Sequence, residues 1–144
     1  MSKNSVCIAT YNIHKSRGLD RRINPDRVMT VLSELNADII ALQEVICAAE
    51  DNTPERDQAR FFATALSYNY CVSETRHWGR RIYANVLLSR MPLHASYNYD
   101  ISWRRYPRRS CLRADIELPS GSFLHVFNAH LGLAFAERRY QARR

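Results

Sequence analysis

The 144-residue sequence predicts an α/β fold in which a mixed β-sheet carries flanking helices on one face. Two observations carry this prediction. In the first third of the chain, a stretch with helical periodicity lies between two short apolar runs, which is the strand–helix–strand order of an α/β layer. From Tyr68 onward, short runs follow one another with turn residues between them, which is typical of consecutive strands.

The first strand–helix–strand unit has clear start and stop signals. Residues 6–13 and residues 38–45 are short apolar runs, and both read as strands. Between them, Asn24 is a favourable N-cap, Pro25 suits the first helical position, and Asn36 is a suitable C-terminal stop. We therefore predict a strand, a polar and basic loop, a helix and a second strand.

The rest of the chain is predicted to contain a helix, five strands and a final helix. The helix is expected over residues 55–66, and Pro92 separates two of the strands that follow. Residues 134–144 have helical character but no stop signal, so we expect the chain to be interrupted there. The five predicted strands comprise residues 68–73, 83–89, 93–99, 111–118 and 123–130.

The balance of charge favours a phosphate-rich partner. Lys and Arg total 21 against 14 Asp and Glu, which gives a net charge of +7. Nucleic acid, a phosphorylated small molecule or an anionic lipid head group would complement this charge, although a generic basic surface has the same composition. We interpret a first arginine cluster, interleaved with Trp103 and Tyr106, as a phosphate-binding surface, and a second one as a solvated face. The clusters are Arg104, Arg105, Arg108, Arg109 and Arg113, and then Arg138, Arg139, Arg143 and Arg144.

The four cysteines favour a reduced, cytoplasmic protein. Cys7, Cys47, Cys71 and Cys111 are far apart and form no Cys-x-x-Cys pair, so we expect buried free thiols. The first residues contain no apolar signal-peptide core, and no apolar run approaches the ~18 residues of a membrane span. We therefore predict a cytoplasmic location and no stable membrane insertion.

Two polar residues end strands that are otherwise apolar. Asn12 lies near the end of the first predicted strand, and Glu44 lies near the end of the second. Ligands of α/β sheets collect at the carboxyl ends of strands, and a carboxylate there suits Mg²⁺ or Mn²⁺, which prefer oxygen ligands. A solvated residue at a strand end is the alternative interpretation of Glu44.

A histidine closes the last predicted strand. His130 lies two residues after Asn128. Because successive side chains of a strand point to opposite faces, these two are predicted to lie on the same face. A histidine beside a phosphate can donate to a nonbridging oxygen and stabilise charge in the transition state. A core or strand-end histidine is the alternative, and the pattern alone does not distinguish the two.

Four segments resemble the endonuclease/exonuclease/phosphatase superfamily, and they occur in the correct order. This superfamily includes pancreatic deoxyribonuclease, neutral sphingomyelinases and inositol-polyphosphate 5-phosphatases. The third segment has Ala84 where the superfamily's GNAxLSRxP pattern has Gly. The segments are TYNIHK at 10–15, NADIIALQEV at 36–45, YANVLLSRMP at 83–92, and NAHLGL at 128–133 followed by ERRYQ at 137–141.

The resemblance implies both an architecture and a chemistry. The fold would be the N-terminal half of a four-layer α/β/β/α sandwich. The protein would hydrolyse a phosphodiester or phosphomonoester by metal-assisted attack of water, with Glu44 binding Mg²⁺ or Mn²⁺ and Asn12 ordering the metal site. His130 would contact the scissile phosphate. Arg105 lies where the nuclease branch has an arginine before Glu-Pro, which implies phosphate binding, although Tyr106 replaces that Glu here.

Two further segments of the superfamily do not occur within the 144 residues. They are a GDFN segment, which orients the water and the phosphate, and an SDH segment, which completes the hydrolytic groups. We therefore expect residues 1–144 to be an incomplete domain without enzyme-like turnover of its own. We also expect a sheet face of about six strands, on the order of 500 Å², to be uncovered and to cause self-association.

Two other interpretations stay open at this point. The chain could be a catalytically dead module that binds nucleic acid or another polyanion, or the inactive product of an interrupted reading frame. Salt-sensitive binding without metal-dependent hydrolysis would indicate the first of these. The substrate is equally open, because DNA, RNA, phospholipid head groups and small phosphate esters all occur as substrates in the superfamily.

Overall fold

The computed structural model describes residues 5–48, 53–79 and 81–144. Within these residues the chain forms seven strands and three α-helices, in the mixed order that the sequence predicts. In chain order they are β1 (Ile8–Asn12), α1 (Pro25–Leu35), β2 (Ile39–Cys47), α2 (Gln58–Leu66), β3 (Asn69–Trp78), β4 (Arg81–Ser89), β5 (Leu93–Asp100), β6 (Ser110–Glu117), β7 (Phe123–Ala129) and α3 (Phe135–Gln141).

The helix signals in the sequence are confirmed at α1. The Asn24 side chain accepts a hydrogen bond from the backbone N–H of Arg27, Pro25 is the first helical residue, and Asn36 ends the helix with a left-handed backbone. Helix α2 begins later than predicted because Asp57, whose side chain accepts from the N–H of Arg60, is its N-cap. A side-chain acceptor at the N-cap thus sets the start of both helices.

The predicted α/β class is confirmed. The strands divide into two sheets, as the implied sandwich requires, instead of the one mixed sheet that the strand pattern alone predicts. The first has the order β1-β2-β4-β3, with β1 and β2 parallel and the other neighbours antiparallel. The second has the order β5-β6-β7 and is entirely antiparallel. The mixed character is therefore confined to the first sheet, and the later strands form a separate sheet.

The two faces of the first sheet are covered by different partners. Helices α1 and α2 pack on one face, around Val28, Leu32 and Phe62. On the other face, Ile39 and Leu87 pack against the second sheet, whose buried residues there are Leu112, Ala114, Ile116 and Val126. The face that we expected to be open is thus covered by β5, β6 and β7, so our prediction of an uncovered six-strand face is wrong. Within the described residues, that face is therefore not available for self-association.

The four cysteines are free thiols, but they are not all buried. Cys47 is buried, and Cys71 and Cys111 are half-buried. Cys7 is exposed because it precedes β1, which is an edge strand, and our expectation of a buried thiol is wrong there. Among the described helices, none combines the length and the hydropathy that crossing a bilayer requires.

Candidate active site

The site forms where β1 ends beside a bulge in β2. These strands are parallel, and Asn12 at the end of β1 pairs in register with Gln43. The next residue, Glu44, lies in a β-bulge between Leu42 and Val45 and has a φ of 54°. A left-handed residue within a strand is uncommon outside glycine, and a bulge turns a side chain away from its regular direction. The bulge leaves the Glu44 side chain 24% exposed at the sheet edge.

A strained turn follows β1 and faces this bulge. His14, Lys15 and Ser16 have φ values of 46°, 62° and 56°. A left-handed conformation costs roughly 1–2 kcal/mol per non-glycine residue, so such a turn persists only where its surroundings hold it. Gln58, fully buried at the start of α2, donates to the carbonyl of Lys15 at 2.9 Å and accepts from the N–H of Ile46 at 3.2 Å. Its side chain therefore connects the turn to the strand just after the bulge.

The Glu44 carboxylate is the centre of a cluster of polar side chains. Asn12 Nδ2 donates to its Oε1 at 3.2 Å, and Oε1 also lies 4.0 Å from His130 Nε2. The other oxygen, Oε2, lies 3.1 Å from His14 Nδ1 and 3.8 Å from Lys15 Nζ. Three loops and strand ends that are distant in sequence thus meet at one carboxylate.

These neighbours keep Glu44 ionised. Partial burial by itself raises the pKa of Glu44, but hydrogen bonds from Asn12 and His14 lower it, as do the charges of Lys15 and His130. The favourable interactions outweigh the cost of burial, so the pKa of Glu44 lies below its ordinary value. The site therefore presents an anionic oxygen pair at neutral pH.

His130 follows β7 directly and is held from its other side by Arg109. Arg109 Nη1 lies 3.2 Å from His130 Nδ1. Arginine can only donate, so Nδ1 is the acceptor and a neutral His130 carries its proton on Nε2, toward Glu44. Burial and the Arg109 charge lower the pKa of His130, with Glu44 opposing them. At neutral pH the imidazole is therefore neutral and carries an Nε2–H donor, and the His130 charge that acts on Glu44 exists only at the more acidic pH at which that carboxyl titrates.

Arg109 is the site residue that sequence reasoning missed. Its Nε is buried and has no hydrogen-bond partner among the described residues, so the guanidinium retains an unused donor. The predicted residue, Arg105, is exposed in the turn between β5 and β6, and the arginine that reaches His130 is Arg109. In sequence the two belong to one cluster, and no local signal distinguishes Arg109 from Arg105.

A buried polar network supports the site from within the sandwich. Gln43 Nε2 donates to Asn128 Oδ1 at 2.7 Å and to Thr10 Oγ1 at 3.1 Å. Asn128 Nδ2 in turn donates to the carbonyls of Leu42 and Val86, each at 2.9 Å. Because Gln43 precedes Glu44 and Asn128 lies two residues before His130, this network sets the distance between the two site residues.

The donor set suits a hard divalent ion that keeps most of its waters. Among the described residues, no group of three or more His, Cys, Asp and Glu side chains could hold a metal, which does not match a zinc cage. Mg²⁺ is commonly held by one or two carboxylates together with waters and substrate phosphates. Glu44, ionised and partly exposed beside the Asn12 amide, fits such an ion.

Comparison with known proteins places the chain in a family. The model of the Endonuclease/Exonuclease/phosphatase family matches residues 9–142. The uncharacterized protein YbhP of Escherichia coli strain K12 is 30% identical over 145 residues, which cover 95% of this chain and 57% of YbhP. The chain thus spans little more than half the length of that relative.

Solved structures show the same fold at lower identity. An endonuclease/exonuclease/phosphatase from Beutenbergia cavernae DSM 12333 matches with a TM-score of 0.78 and 21% identity, over 96% of this chain and 42% of that one. TDP2 of D. rerio, complexed with a single strand DNA product, matches with a TM-score of 0.70 and 19% identity, over 98% of this chain and 53% of that one. With the family match across almost the whole sequence, the chain belongs to the endonuclease/exonuclease/phosphatase family.

Proposed function

We propose that this chain supplies the metal-binding and phosphate-binding part of a Mg²⁺- or Mn²⁺-dependent phosphoesterase. Family membership supports a phosphoesterase in general terms. The observation that carries the finer proposal is the ionised Glu44 carboxylate, which has Asn12 at 3.2 Å and His130 at 4.0 Å. The reaction is hydrolysis of a phosphodiester or phosphomonoester by attack of water, and the predicted compartment is the cytoplasm.

Each residue of the site has a separate part in this proposal. Glu44 holds the ion, and the Asn12 amide fixes the orientation of the carboxylate. Bound at this position, Mg²⁺ would polarise the phosphoryl oxygens and offset developing negative charge. His130 donates from Nε2 to a nonbridging phosphate oxygen, and Arg109, which contacts His130, contributes positive charge.

The groups that would activate the water lie outside this site. The GDFN and SDH segments of the superfamily do not occur in the 144 residues. When catalytic groups act as a unit, removing some of them commonly lowers the kcat of the enzyme by several orders of magnitude. We therefore propose that residues 1–144 bind metal and phosphate but do not turn over substrate at an enzyme-like rate on their own.

A binding module without catalysis is the second candidate function. The net charge of +7 and the exposed arginines Arg104, Arg105 and Arg108 favour it. The relative TDP2, complexed with a DNA product, makes nucleic acid a candidate ligand for either function. Binding that weakens steeply with salt, together with no metal-dependent hydrolysis in the extended chain described next, would indicate this module.

The test of turnover uses a chain that is extended at its C-terminus by the part of the relative that residues 1–144 do not cover. Residues 1–144 are continued with the corresponding C-terminal part of YbhP, and hydrolysis of bis-p-nitrophenyl phosphate and p-nitrophenyl phosphate is measured against Mg²⁺ concentration. We expect Mg²⁺-dependent hydrolysis that Glu44→Gln lowers by roughly a hundredfold or more. The control, Glu34→Gln, changes an exposed glutamate of α1 and should leave the rate unchanged. Hydrolysis with the same Mg²⁺ dependence in Glu44→Gln would overturn the assignment.

A further inference from the structure

Three aromatic rings form a stack beside the site. The Trp103 and Tyr106 ring centroids are 5.5 Å apart with an interplanar angle of 14°. Trp103 also stacks with Tyr140 of α3, at 6.0 Å and 26°. Tyr106 is 43% exposed, so this ring offers accessible surface to a ligand. We name Trp103, Tyr106 and Tyr140, with Arg104 and Arg144, the stacked surface.

The loop that carries two of these rings is closed at its base. The N–H of Ile101 donates to the carbonyl of Arg109 at 3.1 Å, and the N–H of Arg109 donates to Ser102 Oγ at 3.0 Å. The N–H of Tyr106 donates to the carbonyl of Trp103 at 3.2 Å. Because Arg109 at this base also contacts His130, the loop holds its rings at a fixed position relative to the candidate active site.

The third ring is connected to the site through α3. Gln141 Oε1 accepts from the N–H of Gly132 at 2.8 Å, and Arg138 donates to the carbonyls of Gly132 and Leu133. Gly132 lies two residues after His130. Both segments that contribute rings to the stack are thus attached to residues next to His130.

Positive charge surrounds the stack on both segments. The Arg104 guanidinium lies 4.6 Å from the Trp103 ring centre, and the Arg144 guanidinium lies 5.6 Å from that of Tyr140. Hydrogen bonds from Ser102 lower the pKa of Asp100, and the charges of Arg108 and Arg144 lower it further. The two arginines therefore act on the same carboxylate, although they belong to different segments. Arginines about 35 residues apart in sequence, which we interpreted as two separate clusters, therefore act on one region of the surface.

We propose that the stacked surface binds unpaired bases of a single-stranded polynucleotide. Every base has a π-face, so stacking on tyrosine or tryptophan tolerates any sequence, whereas bases inside a duplex already stack on each other. The arginines next to the rings can pair with the phosphates that connect successive bases. This inference rests on the proposed function in one respect, because that function places the scissile phosphate at Glu44 and His130.

The test measures binding without hydrolysis. Fluorescence anisotropy is followed for a labelled oligothymidylate of about 12 nucleotides, a length within the range that single-strand-binding domains occupy, in EDTA. The comparison ligands are an abasic oligonucleotide of the same length, a duplex, and phosphatidylserine vesicles. We expect oligothymidylate to bind roughly tenfold tighter than the abasic strand, because only the former can stack on the rings.

Substitutions separate stacking from charge. Tyr106→Leu should weaken oligothymidylate binding roughly tenfold and leave the abasic strand unchanged, while Tyr106→Trp should retain the affinity. Arg104→Gln should weaken both strands and reduce the slope of log affinity against log salt by about one. Tyr70→Leu, at an exposed tyrosine on β3 outside the stacked surface, is the control and should change neither.

Three results would overturn the proposal. Equal affinity for abasic and thymidylate strands would mean that the surface recognises charge alone. Tighter binding to the duplex, or to the vesicles, would assign the surface to a different partner. Since the assay contains no divalent ion, these results do not depend on the metal site, and a failure of metal-dependent hydrolysis would leave them unaffected.

Discussion

Gln43 on β2 and Asn128 on β7 are joined by a hydrogen bond of 2.7 Å across the two packed sheets. Both side chains are buried, with exposures of 7% and 2%. Each is close in sequence to a site residue, because Gln43 precedes Glu44 and Asn128 precedes His130 by two positions. The contact between the sheets and the geometry of the site therefore depend on the same pair of amides.

Removal of this amide pair should destabilise the fold. Asn128→Ala removes three buried hydrogen bonds, to the carbonyls of Leu42 and Val86 and from the Gln43 amide. Each such bond contributes about 0.5–1.5 kcal/mol, so we expect the free energy of unfolding to fall by about 2–4 kcal/mol. Urea unfolding measures this loss. The control is Asn98→Ala, at an exposed asparagine of β5, and an equal small effect of both variants would contradict the assigned role.

The C-terminal end of α2 offers a stabilising substitution. Ser67 ends this helix with a φ of 56°, a conformation that glycine adopts without a steric cost. Ser67→Gly should raise the free energy of unfolding by about 0.5–1 kcal/mol. Ser33→Gly, inside α1, should lower it by a similar amount, since glycine is unfavourable within a helix. Thermal or urea unfolding of the pair tests the prediction, and destabilisation by Ser67→Gly would contradict it.

Acid sensitivity should depend on the ion pair of Asp115. The hydrogen bond from Arg113 holds the pKa of Asp115 below its ordinary value of 3.8; burial opposes this and a hydrogen bond from His125 adds to it. A carboxyl group whose pKa is lower in the folded than in the unfolded protein stabilises the fold. This stability is complete at pH values above the pKa of the group in the unfolded chain, and it is lost as the pH falls through the pKa of the group in the folded protein. Asp115→Asn should therefore be less stable than the parent at neutral pH.

The same variant should also lose less stability on acidification. Between about pH 5 and pH 2, the difference in unfolding free energy between the parent and Asp115→Asn should shrink, as circular dichroism with urea titration can show. Glu34→Gln, at an exposed residue of α1, is the control. A difference that stays constant over this range would mean that Asp115 does not titrate differently in the folded protein.

The four thiols should differ widely in reactivity. Burial raises the pKa of Cys47 to about 12 and that of Cys71 to about 11, so neither forms the reactive thiolate near neutral pH. Cys7 is exposed. We expect N-ethylmaleimide to modify Cys7 first and to reach Cys47 and Cys71 only after unfolding, as peptide mass spectrometry can measure. Early modification of Cys47 in the native protein would contradict the packing described here.

Local signals made much of the fold predictable. Asn24, Pro25 and Asn36 determine the ends of α1 through capping and backbone preferences that act within a few residues. The positions of β1 and β2 were likewise readable from apolar runs, and because these strands are parallel, Asn12 and Glu44 lie close together. The end of β2 was predicted too early, because the strand continues past Glu44 to Cys47. The structure also brings His130 close to Glu44, although the roles of these residues remain predictions.

The features that sequence reasoning missed depend on long-range contacts. The division into two sheets is decided by which strands pair, and the apolar pattern of β6 is compatible with either sheet. The left-handed φ of Glu44 and the support from Gln58 exist only when the turn after β1 packs on α2. Arg109 differs from Arg105 only in its three-dimensional position, since it lies at the base of the loop rather than in its turn.

The measurement that tests the central claim most directly is divalent-ion binding by residues 1–144. Loss of the free Mn²⁺ signal in electron paramagnetic resonance reports binding, and Mg²⁺ competition confirms that one site takes both ions. We predict one Mn²⁺ site whose affinity falls at least roughly tenfold in Glu44→Gln. Loss of a residue that only orients a metal ligand commonly lowers metal affinity about tenfold or more, and loss of the carboxylate ligand itself should lower it at least as much. Glu34→Gln should bind as the parent does. Equal Mn²⁺ affinity in Glu44→Gln and the parent would contradict the account of Glu44 as the metal ligand.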